Sequence, residues 1–209
     1  SVQKLPVSVY PSTGSIMAYG YNPFLTSWSP YHGAAYAVVE ACAKAVAAGA
    51  EFGGMRFSYQ EYFERMHTAR SWGKPLAALL GALRMQVELG LPSIGGKDSM
   101  SGTFQQINVP PMLMAFGITT VDARRVISTD LKEAGHTLYL LKHTPKANRM
   151  PDTAALRTLW NYASERIAAG RIVAGYAVGF GGVAEALAKM AFGNRIGAEV
   201  TTDESRLYE

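Results

Sequence analysis

Apolar positions recur along this chain first with a period of two, then with the period of a helix, and the two patterns keep alternating. Residues 5 to 10 and 15 to 21 read as β-type runs separated by the turn residues Pro11, Ser12, Thr13 and Gly14. The stretch GAAYAVVEACAKAVAAGA from Gly33 reads as a helix closing near Gly49, with an alanine-rich face suited to close packing on a sheet. A strand is expected around Met55 to Tyr59. The next helix has Pro75 near its first turn, Leu76, Leu79, Leu80, Leu83 and Val87 on one stripe, and Gly90 placed as a left-handed cap. Leu91 to Ile94 then reads as a short buried strand and Pro110 to Thr120 as a longer one, which leaves Gly95 to Thr103 as the loop at a strand's exit.

A second unit, 136–209, follows the first, 1–135. HTLYLLKH from His136 is strand-like, Asp152 is placed as an N-cap, and Leu156, Leu159, Trp160, Ala163 and Ile167 line one helical face. Arg171 to Val178 reads as strand, Gly179 to Phe192 as glycine turn and helix, and Ile196 to Thr201 as strand. A run of this kind that stops at Glu209 leaves a sheet edge uncovered, so the chain is expected to be a piece of something longer.

Composition narrows the function classes. With 209 residues, 48% of them hydrophobic, the chain can bury one complete domain and part of another. Its net charge of +4 is scattered, with no basic run longer than Arg124-Arg125, which suits phosphorylated small molecules better than nucleic acid. The single cysteine, Cys42, excludes an internal disulfide, and no apolar run is long enough to cross a bilayer; a reducing, cytoplasmic setting is expected.

The candidate chemistry concentrates in LPSIGGKDSMSGTF, Leu91 to Phe104. Gly95 and Gly96 let the backbone approach a ligand, Lys97 adds a cation, and Ser99, Ser101 and Thr103 add hydroxyl donors, a set that fits phosphate. Asp98 would repel bare phosphate but suits a Mg²⁺ ion held between carboxylate and phosphate oxygens. The alternative is a glycine turn whose Asp and Ser bond to nearby backbone. Neither a Walker loop nor GxGxxG is present. Glu40, inside an apolar helix, needs a metal, a donor or an ion pair, and Lys44 at i+4 offers the last of these. His32 serves either as a phosphate ligand or as a helix cap, and Cys42 as a small apolar residue. Gly181 and Gly182 either open an anion site at a helix N-terminus or let that helix sit close to a sheet. FSYQEYF from Phe57 reads as core, with Gln60 and Glu61 polar at a strand end.

SPYHGAAYAVVEA, FSYQEYFE, LPSIGGKDSMSGTF, NVPPMLMAFGITT and GGVAEALAKMAFGN, in that order, resemble successive segments of phosphoribosylformylglycinamidine synthase in its single-chain bacterial form. The resemblance covers nearly the whole chain, and GGKDSMSGT followed by the PP-containing strand is its most specific part. It implies an aminoimidazole ribonucleotide synthetase-like fold, with a barrel-forming α/β half followed by a partial α+β half, taken from the second of two fused copies. It implies an ATP-dependent ligase of purine biosynthesis, in which ATP activates the amide oxygen of formylglycinamide ribonucleotide as an iminophosphate and glutamine-derived ammonia displaces it. The glutaminase domain is absent from these residues.

By the same resemblance, Asp98 matches a magnesium-binding aspartate, Glu40 a magnesium-binding glutamate, and Ser99 or Ser101 a nucleotide-contacting serine, with Gly95, Gly96 and Lys97 completing a site for ATP or ADP. Lys44 stands where longer enzymes carry an asparagine ligand, and Phe180 where a DGG motif begins; each departure removes a metal or phosphate partner. An earlier aspartate ligand would precede Ser1, so no catalytic residue is assigned and the piece alone is expected to be inactive. Its barrel half is expected to pair with the first synthetase copy or, alone, to form a homodimer, without nucleic acid or membrane as partner. The alternative is a non-catalytic nucleotide-binding or dimerisation module of the same superfamily, related to selenophosphate synthetase or thiamine phosphate kinase.

Overall fold

The computed structural model of the chain describes residues 1–9 and 11–208. Tyr10, the end of the first predicted β run, and Glu209 lie outside the described residues. Strand β1 (Val2–Lys4) pairs antiparallel with β2 (Thr13–Gly20), Val2 opposite Ile16. The strand thus precedes the predicted run 5 to 10 instead of filling it. Pro6 has no N–H to offer a ladder, and the Val7 amide turns back onto the Leu5 carbonyl at 3.0 Å.

A short helix that the pattern does not predict, α1 (Pro23–Trp28), follows under an Asn22 cap whose side chain accepts from the Phe24 and Leu25 amides. Helix α2 (Pro30–Ala47) starts three residues before the predicted Gly33 and buries the expected small face, including Ala34, Ala37, Val38, Ala41, Cys42 and Ala45. Small side chains let it sit on the backbone of β2: a Cβ at Gly20 would stand 2.0 Å from the Ala37 carbonyl oxygen.

Next come β3 (Arg56–Tyr62), α3 (Ala69–Leu89), β4 (Ser93–Lys97), the two-residue strands β5 (Thr103–Phe104) and β6 (Ile107–Asn108), which pair with each other, and β7 (Met112–Asp122). Among the described residues, five strands form one sheet in the order β1-β2-β7-β3-β4, antiparallel throughout except for the parallel pair β3 and β4. Helices α2 and α3 cover one face. The opposite face carries Met17, Tyr19, Met114, Phe116 and Ile118, with Tyr19 and Phe116 ring to ring at 6.3 Å.

Helix α3 departs from its predicted layout twice. It begins at Ala69 under a Thr68–Ser71 capping box, so Pro75 lies in its second turn and not its first. Its buried residues are Ser71, Pro75, Ala78, Gly81, Ala82, Met85 and Leu89, while the predicted core stripe of Leu76, Leu79, Leu80, Leu83 and Val87 is 47 to 73% exposed. The helix turns its small face to α2, where a Cβ at Gly81 would come within 2.0 Å of the Tyr31 carbonyl oxygen; leucines do not fit that approach. Gly90 adopts the expected left-handed cap, φ 69°. The predicted buried strand 91–94 is also corrected. Leu91 is buried, but the strand runs from Ser93 to Lys97, forms the sheet edge and is exposed along its length.

Beyond residue 135, helix α4 (Thr153–Ala168) has the predicted Asp152 cap, accepting from the Ala154 and Ala155 amides, and buries Leu156, Trp160, Ala163 and Ile167. Met150, Leu156, Trp160 and Ala163 join the same core as α2, and Trp160 lies 5.4 Å from the Phe52 ring. Helix α5 (Gly182–Phe192) also matches its predicted span. The predicted strands 136–143, 171–178 and 196–201 enter no ladder. The described residues there show one isolated bridge, Ser128 with Ala174, and the side chains of Leu138, Tyr139 and Leu140 stay exposed, with no neighbouring strand to bond them. No helix among the described residues is long and apolar enough to cross a membrane.

Candidate functional site

The run from Gly95 to Thr103 starts inside β4 and wraps over the C-terminal end of β3. In the parallel ladder Ser58 faces Gly95, Tyr59 faces Gly96 and Gln60 faces Lys97. The two glycines differ. A Cβ at Gly96 would stand 2.6 Å from the Tyr59 carbonyl oxygen, so packing demands glycine there; a Cβ at Gly95 would meet nothing within 4 Å, so packing does not. As the sheet edge, β4 also leaves its outward N–H groups without a ladder partner among the described residues.

Past Lys97 the backbone is pinned to β3. The Ser99 amide donates to the Glu61 carbonyl at 2.9 Å, the Phe63 amide to the Ser99 carbonyl at 3.0 Å, and the Gly102 amide to the Phe63 carbonyl at 2.9 Å. Ser101 adopts a left-handed φ of 70° between them. Lys97 Nζ donates to Ser99 Oγ at 2.8 Å, which brings a cation and a hydroxyl of the loop together. Thr103 Oγ1 is committed elsewhere, accepting from the Arg65 amide and donating to Asn108 Oδ1. Asp98 is exposed and makes no hydrogen bond or ion pair among the described residues, so it does not behave as a turn-capping aspartate.

Glu40 is differently placed. One of its oxygens pairs with Lys44 Nζ at 2.6 Å and the other accepts the Tyr21 amide at 2.9 Å, while Lys44 also donates to the Tyr19 carbonyl and lies over the Tyr19 ring. The pair is partly exposed, so Lys44→Ala is expected to cost less than about 1 kcal/mol in urea denaturation. A loss of several kcal/mol would show that the carboxylate depends on its ammonium partner. His32 bridges Ser29 Oγ at 2.8 Å and the Asn148 carbonyl at 3.1 Å, the structural alternative for that residue. Cys42 is buried, and burial holds its thiol well above the usual range. At α5 the Gly181 amide already donates to Glu185, which in turn pairs with Lys189, so the side chain of Glu185 takes up the N–H there.

Glu61, expected only as a polar residue at a strand end, takes a core-facing position in β3. Alternation along β3 puts Phe57, Tyr59 and Glu61 on the buried face, and Glu61 is 5% exposed. Its Oε1 and the Tyr59 hydroxyl are both buried without a hydrogen-bond partner among the described residues. Burial, and then the charge of Asp98, push the Glu61 carboxyl up to about 7. A charged group at a core-facing position of a period-two run is the signal that finds it. The orphaned oxygen, on the residue whose carbonyl accepts the Ser99 amide next to Asp98, fits a divalent cation, although no cluster of three or more His, Cys, Asp or Glu among the described residues could hold one alone.

Two surface clefts have volumes of about 390 Å³, between Trp28, Glu64, Lys74 and Asn108, and about 490 Å³, between Phe24, Trp28, Tyr36 and Arg149. Residues 95 to 101 line neither.

No family model matches the chain, and no curated protein matches it. Solved structures do. Thermotoga maritima PurL complexed with ATP superposes with a TM-score of 0.70 at 14% identity, over 99% of this chain and 37% of that one. The same organism's PurL complexed with AMPPCP gives 0.66 at 16% identity, over 90% and 31%. AaThiL complexed with AMPPCP and TMP gives 0.52 at 14% identity, over 89% and 62%. The chain therefore has the aminoimidazole ribonucleotide synthetase-like fold common to these proteins, and it spans about a third of the length of the PurL structures.

Proposed function

We propose that the chain is a portion of an ATP-dependent carbon–nitrogen ligase, a cytoplasmic phosphoribosylformylglycinamidine synthase. The whole enzyme would convert formylglycinamide ribonucleotide, ATP and glutamine-derived ammonia to the amidine. This piece would supply nucleotide and cation ligands. The observation that carries the reading is the fold shared over 99% of the chain with a PurL that holds ATP. It gains support from a loop whose chemistry, at the end of β3 and β4, suits a nucleotide's phosphates.

In this reading Gly95 gives the phosphates access to the β4 edge, Lys97 balances their charge, and Ser99 and Ser101 donate hydrogen bonds. Lys97 is already drawn toward Ser99, which limits the side-chain ordering that binding requires. Asp98 would hold Mg²⁺, which, when bound, neutralises phosphate charge. The sheet face bearing Met17, Tyr19 and Phe116 is the surface through which this half would pair with the other synthetase copy or, in the isolated piece, with a second copy of itself.

Gly95→Val tests the loop directly, because the added side chain meets open space in the protein and would meet a ligand there. We expect calorimetry to show AMPPCP affinity reduced roughly tenfold or more, equivalent to about 1.4 kcal/mol, with the unfolding transition unchanged. Equal affinity for wild type and Gly95→Val would remove the β4 loop from the binding site.

A further inference from the structure

We infer that Glu61, and not Glu40, is the second carboxylate that meets a divalent cation held by Asp98, which places the cation over the C-terminal end of β3. The inference deepens the nucleotide reading and rests on it for the remaining ligands, which phosphate oxygens and water would supply. Mg²⁺ commonly binds through one or two carboxylates together with such groups.

Glu61 comes from the strand next to β4. Gln60 stands opposite Lys97, and the Ser99 amide donates to the Glu61 carbonyl, so the residues on both sides of Asp98 are fastened to the end of β3. A carboxylate buried to the extent of Glu61, with Oε1 unpartnered, is costly unless a cation or proton meets it. Neighbouring groups do not relieve it. The Gln60 amide is spent on the Glu61 backbone carbonyl at 2.6 Å, and Lys97 is turned to Ser99. The Tyr59 hydroxyl, also buried without a partner among the described residues, lies two residues earlier on the same strand face and adds polar lining. Glu40, in contrast, has both oxygens engaged, by Lys44 and by the Tyr21 amide; a cation there would have to displace an ammonium group.

Mn²⁺ serves as the probe, with free ion counted by electron paramagnetic resonance in the presence and absence of ADP. Glu61→Gln and Asp98→Asn are each expected to weaken Mn²⁺ binding about tenfold or more, and Glu40→Gln to leave it unchanged. Loss with Glu40→Gln and none with Glu61→Gln overturns the inference, as does the absence of Mn²⁺ binding in both conditions. The two readings separate cleanly. Binding of Mn²⁺ that depends on Glu61 while ADP fails to bind rejects only the nucleotide, whereas ADP binding with Mn²⁺ indifferent to Glu61 rejects only this site. Should Glu61→Gln not fold, the wild-type chain decides by paramagnetic broadening of its amide resonances. Ser99 and Phe63 are expected to broaden at Mn²⁺ levels that leave Tyr21 sharp, and the reverse order overturns the assignment.

Discussion

Gly81→Ala is expected to destabilise the chain by about 2–3 kcal/mol, although an alanine in mid-helix ordinarily stabilises relative to glycine by up to about 1 kcal/mol. The sign is what makes the test informative. A Cβ at this position would lie 2.0 Å from the carbonyl oxygen of Tyr31, 2.9 Å from its carbon and 3.2 Å from its Cα, all backbone atoms of α2 that no rotamer change can move aside. Relief requires α3 to back away from α2, loosening Ala78, Ala82 and Met85 in the shared core. Against a typical domain stability of about 5–15 kcal/mol, that is a large fraction. Urea denaturation of the two proteins reads it directly; a more stable Gly81→Ala would mean that the helices are not in backbone contact.

The same contact explains where hydrophobic patterning succeeds and where it misleads. In α2 the apolar residues are small, the helix packs on two sides, and the predicted face is the buried one. In α3 two faces compete: a leucine stripe, which a hydrophobicity pattern selects, and a stripe of Ala78, Gly81, Ala82 and Met85, which the structure buries. Residue volume decided the outcome, because the backbone of α2 is too close for leucine. Strand limits shifted for a different reason. Pro6 stops β1 early by lacking a donor, and β4 is exposed because it is the last strand of the sheet, with β3 on one side and no strand among the described residues on the other. The three strand-like segments after residue 135 have the right composition, but a ladder needs a neighbour, and composition carries no information about one.

Within the site, local chemistry was legible and spatial pairing was not. The residue types of the loop can be read from the sequence, but the contact that Lys97 makes with Ser99 comes from the structure. Glu40 and Lys44 could be recognised as a possible pair from i and i+4 spacing, and they form one. Glu61 reads from the sequence only as polar at a strand end, because its meaning depends on which residues lie beside it across the β3–β4 ladder and in the loop beyond, contacts separated by almost forty positions in the chain.

Glu61→Gln is expected to stabilise the metal-free chain, and to do so only at neutral to alkaline pH. The carboxyl loses its proton near 4.5 when unfolded and near 7 when folded, since burial and then Asp98 disfavour its charge. Between those values the folded state binds more protons than the unfolded one, so stability falls as pH rises, and the deficit is complete above about pH 7. Below the unfolded value both states are protonated and Glu61 makes no difference. Glutamine, of nearly the same shape and always neutral, carries no such penalty. Urea denaturation in chelator should therefore give nearly equal stabilities for the two proteins at pH 4.5, with the variant ahead by on the order of 1–2 kcal/mol at pH 8. A variant that is no more stable than wild type at pH 8 would mean that the Glu61 carboxylate is satisfied in the folded chain, by a donor or by water. A wild type that does carry this deficit retains a destabilising charge in its core, as a side chain kept for a ligand is expected to do.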